Sequence, residues 1–411
     1  MSNIAWVLRN ARVDDGAPLV DIAFEGERIT AMGAELPLTG NQEWDLKGSV
    51  VLPGFVDAHV HLDTTFLSVQ NKSGTLQEAI EVWHQGRPFL TYESYLSRAW
   101  RALRMALAHG TTTMRTHVEV DTEGSLVALE ALIELREQAR GMVDLQIVAF
   151  GRPGTSPEED ELMRSALKMG ADLVGGAPAL TADPERCIDT ALDLAESFGK
   201  PVDLHVDETD DPNILSLEYL AEQTVERGLQ GQVSAGPCSS LAFVDDEVAA
   251  RVINKVAEAQ LNIVLLPATG LVLIGRNRTP APRGVTRINE LLEHGINVAA
   301  ASDNVRDPFN PFGRYDLLQI ANLNAQVAYL SDDRGQQISL EMVTTRAAEV
   351  LNLPSYGLFE GAFADLVVLR TRRLAEAVVG VPERLATFKC GRLQVRSEYR
   401  RDWLEKTSIW S

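Results

Sequence analysis

The middle of the chain alternates short apolar runs with longer segments whose apolar residues recur at helical spacing. Eight apolar runs predict strands, over Val50–His61, Thr111–Val120, Leu145–Phe150, Ala171–Gly176, Val202–Val206, Gln232–Ala235, Ile263–Leu266 and Ile296–Ser302. Amphipathic segments predict helices over Glu93–Ala108, Ser125–Arg140, Pro157–Met169, Pro184–Phe198, Leu215–Arg227, Asp245–Ala259, Arg287–Glu293 and Phe312–Ala328. Eight strand–helix repeats predict an α/β fold with a closed (β/α)8, TIM-like barrel. An open doubly wound sheet is the alternative, and the absence of a Gly-x-Gly-x-x-Gly motif after an early strand weakens it.

The two ends of the chain carry a different pattern, of short strands separated by turns. Near the start, Val7–Asn10 forms one such run, and turn-forming Asp-Gly and Glu-Gly pairs follow it. Near the other end, Ala364–Leu369 has the apolar character of a buried strand. We therefore predict that residues 1–52 and 355–411 together form a small β-sandwich domain, and that residues 53–354 form the barrel.

Composition narrows the classes of function. The chain has 411 residues, of which 58 are acidic and 38 basic, and its formal net charge is -20 at pH 7. Such a surface repels phosphate backbones and anionic lipid, so we expect neither nucleic acid nor a membrane as a partner. Three widely separated cysteines are typical of a reducing compartment. Because the sequence shows no signal-peptide pattern and no bilayer-length apolar run, we expect a cytoplasmic protein.

Two histidines end the first predicted barrel strand. His59 and His61 lie two residues apart, so a strand presents both imidazoles on one face. Barrel enzymes place their sites at the carboxyl ends of the strands, and imidazole is a ligand suited to zinc or ferrous iron. An isolated pair of this kind is usually two ordinary histidines, but its place at a strand end favours a metal site.

Two further strand ends carry residues that complete such a site. His205 ends the fifth strand and Asp303 ends the eighth. Alone, His205 could be a hydrogen-bonded core residue, and Asp303 could be the N-cap of a helix. Together with the histidine pair they provide three neutral imidazoles and one carboxylate for a single divalent cation. Glu208, just past the fifth strand, could move protons beside that cation, or it could belong to a solvated acidic loop.

Around these residues the sequence resembles the cytosine deaminase-like branch of the amidohydrolase superfamily. The resemblance runs over nearly the whole chain, with matching order and spacing. The segments that carry it are Pro53–Thr65, Lys72–Thr75, Thr116–Glu119, Val148–Phe150, His205–Asp211, Arg283–Ile288, Ser302–Pro308 and Gly357–Val368. It implies a metal-dependent hydrolase that releases ammonia or an alkylamine from a nitrogen heterocycle, such as a pyrimidine or a triazine.

The resemblance also implies roles for individual residues. His59, His61, His205 and Asp303 match the ligands of one divalent metal ion per chain, Zn²⁺ or Fe²⁺. Asp303 would take a proton from the attacking water, and Glu208 would protonate a ring nitrogen or the leaving group. The fourth strand carries no lysine, which disfavours a site with two metal ions. Relatives in this branch are often homo-oligomers, which leaves a homo-oligomer open here.

Three positions depart from the pattern of cytosine deaminases. Pro237 stands where those enzymes have a histidine, and it cannot polarise a substrate. Arg152 matches a substrate-binding glutamine, and Asn304 matches an aspartate. Arginine brings a fixed charge and several donors, while an amide both donates and accepts. We predict that Arg152 and Asn304 bind a substrate other than cytosine, either anionic or rich in carbonyl groups, although Arg152 could also be a surface residue.

The second strand and the segment after the first strand carry weaker candidates. His117, Glu119 and Asp121 alternate along the second strand and could contact substrate or support the metal ligands. Trp83 lies in the long connection after the first strand, which could cover the site or simply pack against the core. We interpret His84, in the same connection, as a surface or packing residue.

These observations leave three functions open. The main hypothesis is a deaminase or aminohydrolase that acts on a small heterocyclic molecule. The alternatives are a cyclic amidase or another hydrolase of carbon–nitrogen bonds, and a barrel that binds a metal or heterocycle without catalysis. Amine release, ring opening and binding without turnover distinguish the three.

Overall fold

The computed structural model describes residues 4–67, 71–122 and 126–402. Its strands, in chain order, are β1 (Trp6–Ala11), β2 (Val20–Glu25), β3 (Arg28–Gly33), β4 (Gln42–Asp45), β5 (Val51–Pro53), β6 (Phe55–Val60), β7 (Thr111–Glu119), β8 (Asp144–Phe150), β9 (Leu173–Gly176), β10 (Val202–Val206), β11 (Val233–Pro237), β12 (Asn262–Leu265), β13 (Val298–Ala300), β14 (Leu366–Leu369), β15 (Arg384–Lys389) and β16 (Arg392–Arg396).

The helices alternate with the barrel strands and continue beyond them. They are α1 (Leu76–Gly86), α2 (Tyr92–Ala108), α3 (Val127–Gln138), α4 (Pro157–Met169), α5 (Pro184–Phe198), α6 (Ser216–Glu226), α7 (Asp246–Glu258), α8 (Pro267–Leu273), α9 (Ile288–Glu293), α10 (Leu317–Val327), α11 (Asp333–Glu341), α12 (Thr345–Val350) and α13 (Glu376–Gly380). Among the described residues, no helix combines the length and the apolar character needed to cross a bilayer.

Eight parallel strands, β6 to β13, lie side by side in chain order. The first and last of them meet at the mouth, where the Asp303 backbone N donates to the His59 carbonyl oxygen at 2.9 Å. Beside this contact, the Ser302 backbone N donates to Asp57 Oδ1, also at 2.9 Å. The predicted (β/α)8 barrel is therefore confirmed, and its closure sets β6 next to β13, so that both strand ends face the same site.

Several of the barrel helices begin near the predicted residues, at capping side chains and prolines that the sequence shows. The side chain of Ser156 accepts a hydrogen bond from the Glu159 backbone N, and Pro157 opens α4. Asp183 caps α5 in the same way, and a proline follows it. These caps satisfy backbone donors that a helix start would otherwise leave unpaired. The predicted helix over Ser125–Arg140 is found as α3, and its predicted first residue lies outside the described residues.

The chain ends form two four-stranded sheets, in the orders β3-β2-β1-β4 and β16-β15-β14-β5. A shared core joins the two sheets, and within it the rings of Trp6 and Phe24 pack edge-on against Phe388, at 5.3 and 5.5 Å between centroids. The predicted small β-sandwich is thus confirmed. Residues 1–3 and 403–411 of the predicted small domain lie outside the described residues.

The prediction of one continuous strand over Val50–His61 is wrong. That segment forms β5 in the small domain and β6 in the barrel, with Gly54 between them. A Cβ atom at Gly54 would collide with the side chain of Thr112, so only glycine fits where the chain passes from one unit to the other. A uniformly apolar sequence cannot reveal this division, because both strands are buried.

Candidate active site

Three histidines converge at the carboxyl ends of two barrel strands. His59 lies on β6, His61 follows it directly, and His205 lies on β10. The Nε2 atom of His205 is 3.1 Å from the Nε2 atom of His59 and 3.1 Å from that of His61. The spacing of two residues along a strand aims both imidazoles of the β6 pair into the mouth, as the sequence predicted.

Asp303 brings a carboxylate to the same point. Its Oδ1 atom lies 3.7 Å from His59 Nε2 and 3.5 Å from His61 Nε2. Its backbone is left-handed, with φ of 56°, a conformation that aspartate tolerates better than most residues. The bond from its backbone N to His59 holds the residue across the seam of the barrel. Its Oδ2 atom has no hydrogen-bond partner within the described part of the chain.

This donor set fits a divalent cation. Burial is the main reason why the pKa of each of the three histidines falls well below its ordinary value, so the imidazoles are neutral and keep a lone pair for a metal. Burial, followed by the nearby Glu208 carboxyl, raises the pKa of Asp303 well above its ordinary value. A cation would offset the cost of holding that carboxylate in its charged form. Three nitrogens and one oxygen suit zinc or ferrous iron.

Glu208 stands beside this cluster, three residues after His205 and just past the end of β10. It lines the same cavity as Asp303 and His61. Burial raises the pKa of Glu208 to about 7, so the carboxyl can both accept and release a proton near neutral pH. Its position in the cavity wall sets it apart from Asp210, which forms an ion pair with Arg278 on the surface.

The cluster opens into a cavity of about 920 Å³, a volume that includes the open mouth, and His61, His205 and Asp303 line it. Helix α1 covers one side and contributes Leu76, Ile80 and Trp83 to the lining. On another side, the ring of Phe150 packs against His205, with 4.3 Å between the ring centroids. The connection after β6 therefore covers the site. Of its two predicted roles, covering the site and packing against the core, the structure shows the first.

Two of the predicted substrate-binding residues, Asn304 and Arg152, line the cavity. The Asn304 Nδ2 atom donates to Asp307 Oδ2 at 2.7 Å and also faces Thr64 Oγ1 at 3.3 Å. These contacts occupy the amide nitrogen of Asn304 rather than its carbonyl oxygen. Arg152 lies on the outer wall, where its Nη2 atom contacts His84 Nε2 at 3.4 Å.

His117 takes a different position from the one expected of a substrate-binding residue. It is fully buried beneath the cluster, stacked on His59 at 3.8 Å between ring centroids, and is not part of the described cavity lining. Its Nε2 atom lies 3.5 Å from the Asp203 carboxylate. The structure therefore brings His117 against His59 and His205 rather than into the described cavity lining, so support of the proposed metal ligands stays a prediction.

The interpretation of His84 as a surface or packing residue is wrong, because its side chain lines the cavity from α1. The sequence did contain a signal for that helix, since Thr75-x-x-Glu78 has the form of a capping box, and Thr75 does cap α1. Apolar residues at positions 76, 80 and 83 have helical spacing. Together these two features predict α1 and the side of it that faces the barrel.

Comparison with known proteins places this geometry in a family. The model of the amidohydrolase family matches residues 42–123 and 91–390. The chain belongs to the amidohydrolase family. Members of the family are hydrolases of carbon–nitrogen bonds, and its barrel sites depend on metal ions.

Several amidohydrolases resemble the chain along most of its length. It is 32% identical to N-isopropylammelide isopropyl amidohydrolase of Pseudomonas sp. (strain ADP), over 95% of this chain and 97% of that protein. It is 33% identical to pterin deaminase of Rhizobium rhizogenes, over 81% of this chain and 77% of that protein. The structure of 5-methylcytosine deaminase from Klebsiella pneumoniae, liganded with 5-fluorocytosine, superposes with a TM-score of 0.91 at 33% identity, covering 97% and 99% of the two chains.

Proposed function

We propose that this amidohydrolase is a metal-dependent aminohydrolase that releases ammonia or an alkylamine from a nitrogen heterocycle. The observation that carries the proposal is the convergence of three imidazole nitrogens and the Asp303 carboxylate beside Glu208, inside one cavity. The names of the three relatives support the substrate class, since each acts on a nitrogen-containing ring.

One divalent ion, Zn²⁺ or Fe²⁺, would be held by His59, His61, His205 and Asp303. When bound, it supplies the Lewis acidity that makes water nucleophilic near neutral pH. The neutral state of the three buried histidines matches this role, because a protonated imidazole has no lone pair to offer.

Two carboxyl groups of this chain would move the protons. Asp303 Oδ2, which has no partner among the described residues, accepts a proton from the attacking water. Glu208 delivers a proton to a ring nitrogen or to the departing amine, and its pKa of about 7 suits both directions of transfer. Asn304 orients the ring, because its carbonyl oxygen accepts from a ring N–H or from the amine.

The apolar side chains around the cavity exclude water and position the ring. Phe150 lies against His205, and Trp83 lines the opposite part of the cavity from α1. A flat heterocycle fits between such surfaces, with its amine-bearing carbon toward the histidines.

We also propose a cytoplasmic location, since Cys187, Cys238 and Cys390 form no disulfide, as is usual for proteins of reducing compartments.

The test compares metal-loaded protein with two variants on a panel of aminopyrimidines, aminotriazines and aminopterins, together with cyclic amides that are followed for ring opening. We expect amine release by the parent protein. His205→Ala should lose most of its bound metal because one of four ligands is gone. Glu208→Gln should keep one metal per chain but lose turnover by about 1000-fold, since it can no longer transfer protons.

Metal analysis and an ammonia assay measure both effects. Full metal retention by His205→Ala would refute the ligand assignment, and normal turnover by Glu208→Gln would refute the role of Glu208. Opening of a cyclic amide without amine release would instead identify a cyclic amidase. Metal binding without turnover on the whole panel would identify a binding protein.

A further inference from the structure

The outer wall of the cavity carries a group of charged residues that proton transfer at the metal-ligand cluster does not use. Glu119 at the end of β7 and Arg152 after β8 meet the α1 residue His84 there. Arg152 Nη2 lies 3.8 Å from Glu119 Oε1 and 3.4 Å from His84 Nε2, and His84 Nε2 lies 3.7 Å from the same carboxylate oxygen. All three side chains line the cavity.

The carboxylates of this wall have other cationic partners. Arg87 donates to both oxygens of Asp121, at 2.7 and 2.9 Å, and lies 3.1 Å from Glu119 Oε2. The indole N–H of Trp83 also donates to Glu119. Among the described residues, two carboxylates, Glu119 and Asp121, therefore face two guanidinium groups, Arg87 and Arg152, and each of these carboxylates has a cationic partner.

Arg152 keeps unused donors in the cavity. Its side chain is 32% exposed, and the nearest carboxylate among the described residues, that of Glu119 at 3.8 Å, is beyond hydrogen-bond distance. Its Nε and Nη1 atoms make no hydrogen bond to any other described residue, while His84 contacts the guanidinium through Nη2. A guanidinium with a free edge matches a carboxylate through two parallel hydrogen bonds.

The position of Arg152 in the cavity indicates which edge of a substrate ring its guanidinium would contact. Phe150 packs directly on His205, and Arg152 follows two residues later along the chain, in the lining of the same cavity. A ring that reacts at the histidine cluster and lies along Phe150 thus presents its far edge to Arg152.

We propose that Arg152 is a specificity residue that binds a carboxylate on the far edge of the substrate ring, and that His84 is a positioning residue that holds the guanidinium. The natural substrate is then an amino-substituted heterocyclic carboxylate. This inference rests on the proposed function for its reaction, but the binding of the carboxylate can be tested separately.

The experiment uses the ring-position isomers of 4-aminopyrimidine carboxylate, each paired with its neutral carboxamide. With metal-loaded protein we expect kcat/KM to be at least tenfold higher for one carboxylate isomer than for its carboxamide. Arg152→Gln should lower kcat/KM for that carboxylate by about 100-fold, mainly through KM, because a charge-paired contact is lost. The carboxamide should lose markedly less, about tenfold at most, because a neutral acceptor gains less from the guanidinium than a carboxylate does.

Two His84 variants separate positioning from simple packing. His84→Gln keeps a hydrogen-bond acceptor for Arg152 and should retain the preference for carboxylate, whereas His84→Leu should reduce it about tenfold. Metal content and the circular dichroism spectrum verify that each variant is folded and loaded.

Equal losses for carboxylate and carboxamide in Arg152→Gln would overturn the proposal, and so would the absence of any preferred carboxylate in the parent protein. If no compound of this set or of the earlier panel is hydrolysed, the proposed function fails, and the carboxylate site is judged by calorimetric titration of the same carboxylates and carboxamides. Binding of a carboxylate that Arg152→Gln abolishes would then support the site, and equal binding by both proteins would reject it.

Discussion

The rings of His59 and His117 are 3.8 Å apart and tilted by only 27°, so one imidazole supports the other from below. Beneath His117, the Asp203 carboxylate accepts a hydrogen bond from Arg115 Nη1 at 2.8 Å, which fixes the floor of the site inside the barrel. If His59 is a metal ligand, as proposed, this packing gives its ring one orientation before the metal binds, and such preorganisation would raise metal affinity.

This arrangement predicts how substitutions of His117 affect metal binding. His117→Ala should weaken metal affinity by about tenfold, because the cavity left under His59 lets that ring move. His117→Phe keeps a flat ring in the stack and should stay within about threefold of the parent protein. Competition with a chromophoric chelator measures both values.

The same pair of variants distinguishes support from ligation. If His117 itself binds the metal, His117→Phe must lose as much affinity as His117→Ala, because neither side chain has a ligand atom. Unchanged affinity in His117→Ala would show that the stack contributes nothing.

Neighbouring helices on the outside of the barrel are joined by ion pairs. On α6, Glu218 accepts from Arg251 Nε at 2.8 Å and Nη2 at 3.1 Å, and from Lys255 Nζ at 2.7 Å, both on α7. The hydrogen bond from Arg251 is the largest cause that lowers the pKa of Glu218, from an ordinary value of 4.5 to about 2. The folded protein therefore holds this carboxylate in its charged form over a range in which the unfolded chain is already protonated.

The sign of the pH dependence follows from this shift. Because the folded pKa is lower than the unfolded one, the contribution to stability is complete above pH 4.5 and is lost as the pH falls toward about 2. Glu218→Gln should reduce the free energy of unfolding at pH 7 by about 1 kcal/mol, a value that allows for solvent screening. The difference between parent and variant should shrink between pH 4.5 and 3 in urea titrations.

Glu222→Gln is the matched control, since within the described part of the chain Glu222 pairs with one cation, Lys255, and is half exposed. We expect it to lower the free energy of unfolding at pH 7 by less than Glu218→Gln does. A gap between Glu218→Gln and the parent protein that stays constant from pH 7 to pH 3 would contradict the assignment.

At the scale of the whole molecule, one buried lysine links the small domain to the barrel. Lys389 on β15 has a side chain only 2% exposed, and its Nζ atom lies 2.6 Å from Asp144 on β8 and 2.6 Å from Asp365 just before β14. Asp365 also accepts from the Cys390 backbone N at 2.7 Å. The C-terminal part of the small domain is thereby attached to β8, the barrel strand that carries Phe150.

Lys389→Met should lower the free energy of unfolding by about 2 kcal/mol, because Asp365 loses its counter-charge while remaining largely buried. The long apolar side chain of methionine keeps the packing, so the loss reports on charge. Asp144→Asn is the control, and we expect it to cost less than about 1 kcal/mol because Asp144 is mostly exposed. Chemical denaturation measures the free energy of unfolding of both variants. Equal stability of Lys389→Met and the parent protein would show that the ion pairs of Lys389 do not stabilise the fold.

Much of the site could be predicted from residue type and periodicity. The alternation of apolar runs and amphipathic helices predicted the barrel, because each element must bury one face against its neighbours. The spacing of His59 and His61, and the strand-end positions of His205 and Asp303, predicted a cluster, because the carboxyl ends of barrel strands open on one mouth. The four side chains do meet there.

Tertiary structure alone decided the depth at which each side chain lies. His117 and Glu119 alternate on one strand, yet the first is stacked beneath His59 and the second lies in the cavity wall. His84 lies far from Arg152 in the sequence and meets it because α1 folds over the mouth. Sequence spacing fixes which face a side chain shares, but barrel closure and helix packing fix its partners, because those depend on contacts between residues that are distant along the chain.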